Sequence, residues 1–156
     1  MRSLSLLVFA LAACGGKDSG GDGDAGGTPP DLTGKYNVVV LGVVGCESDP
    51  VWIDGWARGP LEISGSANAL SFDFGDDAVF SGDVDGNWNV RFAGYLDWQG
   101  ASLSITGTGL AQIADSDAGD GSQLAIKGDI SALVEQEGVE GCSVEGPFEA
   151  TELVGL

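Results

Sequence analysis

Apolar and polar side chains alternate along much of this chain. The pattern is strict in Leu61-Glu62-Ile63 and Leu70-Ser71-Phe72-Asp73-Phe74, and clearest in Trp88-Asn89-Val90-Arg91-Phe92-Ala93-Gly94-Tyr95-Leu96. A period of two marks a strand buried on one face, and no stretch carries a convincing helical period. Turn sequences separate the runs: Ser66-Ala67-Asn68, Gly75-Asp76-Asp77, Asp85-Gly86-Asn87 and Gln99-Gly100. Eight strands are predicted, at 35–45, 59–66, 69–74, 78–84, 87–96, 101–114, 123–134 and 142–151. Connections are mostly short, except 47–58 and 115–122, which favours antiparallel neighbours.

A second pattern lies inside the first. The string apolar-x-Gly-x-apolar recurs at Val40/Gly42/Val44, Phe80/Gly82/Val84, Phe92/Gly94/Leu96, Ile126/Gly128/Ile130 and Val144/Gly146/Phe148. Period-two geometry puts each Gly on the buried face with its apolar neighbours. Such glycines permit coiling and close backbone approach, so their recurrence predicts a small sheet bending toward closure. The expected fold is all-β, an antiparallel eight-stranded meander closing into a small barrel or sandwich. Trp88 and Trp98 fall in phase with Val90, Phe92 and Leu96 and read as core, whereas Arg91, Tyr95 and Asp97 read as solvent-facing.

The amino end is of another kind. Arg2 precedes the apolar run Leu4 to Ala12, which has signal-peptide length and is too short to span a bilayer. It ends in Leu11-Ala12-Ala13-Cys14, which resembles the lipobox of bacterial lipoproteins. That resemblance implies cleavage before Cys14, a diacylglycerol on its thiol, and acylation of the new amine by a chain such as palmitate. Several acyl chains, at about 0.8 kcal/mol per buried CH₂, moor a soluble domain to a bilayer. The family rule that Asp after the lipidated Cys retains a protein at the inner membrane meets Gly15 here, which implies the outer membrane of a Gram-negative bacterium. Residues 15–30 hold no large apolar side chain and read as a flexible tether with a reach of about 20–25 Å. The expected organisation is a signal peptide at 1–13, lipidated Cys14 and tether at 14–30, and one β domain at 31–156.

Three cysteines then sort themselves. Lipidation takes Cys14 and leaves Cys46 and Cys142 as a pair in an oxidising compartment. Cys46 ends the first predicted strand and Cys142 begins the last. In an even-stranded meander that closes, those points are neighbours. Bridging a loop of this length is worth about 4–5 kcal/mol in the chain-entropy picture. The whole layout also resembles small exported lipoproteins of unknown function in Gram-negative bacteria. The likeness is carried by Asp31-Leu32-Thr33-Gly34-Lys35-Tyr36 and Cys142-Ser143-Val144-Glu145-Gly146-Pro147-Phe148-Glu149-Ala150, and it transfers no function.

Composition bounds the chemistry. The 156 residues carry 24 acids against 6 bases and no His, a formal charge of −18. Nothing here neutralises a row of phosphates, so nucleic acid is excluded as a partner, and His-based catalysis and His metal sites fall away with it. Asp115, Asp117 and Asp120 cluster in the 115–122 connection and offer hard oxygens to Ca²⁺, without the EF-hand spacing. A solvated turn is the plainer reading, and no cofactor is expected. With 24 acids in so small a domain, nearby carboxylates are inevitable and argue nothing for hydrolysis. Trp52, Asp54 and Trp56 form the best ligand-binding candidate, since Trp on a loop at a barrel mouth can stack on a sugar or another apolar face. The competing reading folds that loop over the barrel end as a plug. The expectation is a non-enzymatic binding or structural module with a protein or glycan partner. The alternatives are a lipocalin-like carrier of a small apolar ligand and, behind it, an acid-dependent hydrolase.

Overall fold

The structure, a computed structural model, describes residues 27–46, 53, 55–115 and 122–154. Nine strands make it up: β1 (Gly34–Val40), β2 (Val44–Gly45), β3 (Gly59–Ser66), β4 (Ala69–Asp73), β5 (Val79–Val84), β6 (Asn89–Trp98), β7 (Ala101–Asp115), β8 (Ser122–Gln136) and β9 (Val139–Glu152). From β3 to β9 each strand pairs antiparallel with the next. β1 pairs with β3 through Gly34–Val38 and with β9 through Tyr36–Val40, which closes eight strands into a barrel. The two-residue β2 adds to β9 beyond the end of β1.

Several strand ends fall one to three residues from the sequence reading, and two differences have a clear local cause. The expected strand at 35–45 is divided, because Gly42 takes a positive φ of 82° and breaks the ladder between β1 and β2. The expected strand at 87–96 starts late. Asp85 accepts hydrogen bonds from the backbone N–H groups of Asn87 and Asn89, both at 2.9 Å, and Trp88 bonds back to the Asp85 carbonyl. That turn holds Trp88 at a φ of 68°, so β6 begins at Asn89. Both Trp88 and Trp98 still pack against the core as half-buried side chains.

Alternation builds that core. Inward positions of successive strands supply Tyr36, Leu61, Phe72, Phe80, Phe92 and Leu103, each 5% exposed or less. Phe72 stacks on Phe92 with ring centroids 4.9 Å apart, and Phe148 meets Phe92 edge-on at 6.0 Å. Of the in-phase glycines, Gly82, Gly94, Gly128 and Gly146 work as close-packing positions, as does Gly107, whereas Gly42 is exposed with open space where a Cβ would stand. A Cβ on Gly107 would enter the Phe92 ring, and one on Gly128 would meet the Thr108 carbonyl of the neighbouring strand. The recurring Gly therefore sets backbone against ring and backbone against backbone.

The two barrel ends are closed differently. Where the chain enters, Leu32 is buried and its carbonyl accepts a 2.9 Å hydrogen bond from the Tyr36 hydroxyl. At the opposite end Ile53, Trp56 and Ala57 are buried, and Trp56 stands edge-on to Phe74 and Phe80 at 5.6 and 5.2 Å. The same end carries the Cys46–Cys142 disulfide, which fastens the residue after β2 to β9 with Cα atoms 5.4 Å apart. That spacing is ordinary for a disulfide.

Candidate functional site

The candidates named from sequence separate. Cys14, Trp52, Asp54, Asp117 and Asp120 lie outside the described residues. Asp115 closes β7 opposite Ser122, and its side chain is not among those described. Cys46 and Cys142 meet, as their positions at strand ends predicted. Trp56 does not face solvent. It is 3% exposed, with ring contacts to Phe74 and Phe80, so the plug reading holds for this residue and the ligand-stacking one does not. Among the described residues no group of three or more Asp, Glu or Cys is placed to hold a metal ion. No charged side chain among them is buried, nor any Ser, Thr, Asn or Gln.

The outer surface is more informative. Strand register places Ser81 of β5 opposite Ala93 of β6, Ala93 opposite Thr106 of β7, and Thr106 opposite Ser131 of β8. The Thr106 and Ser131 hydroxyls are 2.8 Å apart and share a hydrogen bond. One step along the barrel axis, Asp83 faces Arg91 in the ladder. Arg91 donates from Nε and Nη2 to the same Asp83 oxygen at 3.1 and 2.7 Å. That bond and the Asp83 charge hold the guanidinium pKa above its usual value. On the other side of Ala93 stands Tyr95, 83% exposed. Ser81, Asp83, Arg91, Ala93, Thr106 and Thr108 line a shallow, open trough of about 460 Å³.

The trough follows from side-chain size. Residues 91, 93 and 95 share the outer face of β6, and Ala93 is the small one between two large neighbours. Asp85 lies below it in the β5–β6 turn, where bonds from the Asn89 side chain and the Asn89 N–H hold its carboxyl below the usual range. Asp85 is thereby committed to the turn. Sequence reasoning put Arg91 and Tyr95 on the solvent face but did not join Arg91 to Asp83, Thr106 and Thr108. The partners that shape it come from β5 and β7, and no local pattern announces that register.

Fold and surface together define a small antiparallel β-barrel with an aromatic core, a disulfide clasp and a strongly acidic exterior. No protein-family model matches the chain, and neither curated proteins nor solved structures yield a match.

Proposed function

We propose that this chain is an exported lipoprotein, moored through acylated Cys14 to the outer membrane of a Gram-negative bacterium, and that its barrel is a non-enzymatic binding or structural module. The observation that carries the reading is the Cys46–Cys142 bond. Disulfides persist outside the reducing cytosol, and the pairing leaves Cys14, in its Leu11-Ala12-Ala13-Cys14 setting, for lipid. The barrel exterior agrees with attachment by acyl chains. Its strand faces carry ion pairs such as Arg91–Asp83 and Lys127–Glu149, where a membrane-spanning barrel has an apolar band. The core favours surface binding over a hollow carrier, because phenyl rings occupy the space above the inward glycines. For hydrolysis, no buried carboxylate is found among the described residues.

Fractionation of the native bacterium tests the anchoring. Wild-type protein sediments with outer membranes and partitions into detergent. Cys14→Ala protein is not lipidated and leaves that fraction. Equal sedimentation of both forms contradicts the reading.

A further inference from the structure

We infer that the trough on the outer face of β5, β6 and β7, lined by Arg91, Ala93, Thr106 and Thr108 and with the exposed Tyr95 two residues along β6 from Ala93, binds an uncharged oligosaccharide. The inference deepens the reading of the barrel as a binding module and rests on it.

Three properties point to that ligand. The first is size: the trough's volume of about 460 Å³ lies within the roughly 300–1,000 Å³ of small-ligand sites, and its shallow, open form lets a chain continue past it. The second is the aromatic. Tyr95 is the most exposed large hydrophobic residue described, at 83%, and its ring offers an apolar face with a polar tip. Sugars present the matching surface, with C–H groups on the ring faces and hydroxyls around the edge. The third is hydrogen-bonding character. Thr106, Thr108 and Ser81 bring hydroxyls that both donate and accept, and Arg91 spends two of its five donors on Asp83.

Charge selects among sugars. The chain carries −18, yet the outward residues Ser102, Ser104, Thr106, Thr108, Leu110 and Gln112 of β7 are all uncharged. The one cation in the trough, Arg91, is balanced by Asp83 at 2.7 Å. An anionic glycan therefore meets general repulsion and finds no uncommitted cation. A neutral polyhydroxyl ligand meets neither penalty.

The test titrates the intact chain with uncharged gluco-, galacto-, manno- and N-acetylglucosamine oligomers, with a uronic-acid oligomer as the anionic arm, followed by amide chemical shifts. At least one neutral oligomer is expected to shift Arg91, Ala93 and Thr106 with a Kd below about 10 mM. Tyr95→Ala is expected to weaken it by about tenfold or more, and Ala93→Glu to abolish it. Both positions are exposed, and retained near-native shifts elsewhere show that each variant folds. No binding by any neutral oligomer overturns the inference. So do tighter binding of the uronate, shifts confined to another face, or indifference to Tyr95→Ala. Because the titration does not require lipid on Cys14, its failure is distinguishable from failure of the anchoring reading.

Discussion

The ring of Phe92 lies directly over Gly107, in the space a side chain on Gly107 would take. β6 and β7 pair these two residues in register, so neither moves without disturbing the ladder. Gly107→Ala is expected to cost about 1–3 kcal/mol, as overpacking does in a filled core. Gly141→Ala is the control. A Cβ there meets only the Val134 carbonyl at 3.5 Å, so stability should change by less than about 0.5 kcal/mol. Chemical denaturation of the two variants separates the outcomes, and equal effects would contradict the close-packing role of the inward glycines.

The disulfide gives a second expectation. Removing it should cost about 2–5 kcal/mol. Cys46→Ala, Cys142→Ala and the double variant should lose the same amount, since each deletes one bond. A reducing dithiol should lower the melting temperature of the wild type and leave the double variant unchanged.

Tyr36 supplies a pH dependence. Burial raises its hydroxyl pKa well above the ordinary 10.0, and the negative charges of Glu152 and Asp31 add to the effect. Above pH 10 the unfolded chain releases this proton while the folded one keeps it. The unfolded state then binds fewer protons, so stability is complete below that pH and falls as pH rises beyond it. Tyr36→Phe should flatten this alkaline decline. At neutral pH it should cost about 1–2 kcal/mol, because the Leu32 carbonyl loses its donor. Urea midpoints across the alkaline range measure both effects.

Trp98 is the opposite case. Its Nε1 is buried without a hydrogen-bond partner, a standing penalty in the native state. Replacement by Phe removes that penalty while giving up some packed volume. Trp98→Phe should therefore cost clearly less than Trp56→Phe, which strips ring contacts with Phe74 and Phe80. Paired thermal melts decide the order.

Much of the fold could be read from alternation. The run from Asn89 to Leu96 follows its period faithfully because one face of β6 is core and the other water. Closure was legible through the in-phase glycines, and the disulfide through the position of two cysteines at opposite ends of a closed meander. Failures came where one residue overrode the period. Gly42 takes a positive φ and splits the first strand, and the Asp85 carboxylate draws Trp88 into a turn. The trough was hidden for a different reason. Thr106 and Ser131 share a hydrogen bond across 25 residues, and Asp83 and Arg91 across 8, so the site exists only once the ladders are in register. Trp56 shows the limit of residue type, since an aromatic in a connection served packing as well as it would have served a ligand.

On the proposed reading, a lipid on Cys14 fixes where the barrel resides, and so what it can meet. Intact-mass spectrometry of protein isolated from its native source reads that directly. The predicted result is a chain beginning at Cys14, heavier than its sequence by a diacylglycerol and an amide-linked acyl group. A chain that retains residues 1–13, or a Cys14 carrying an unmodified thiol, would contradict it.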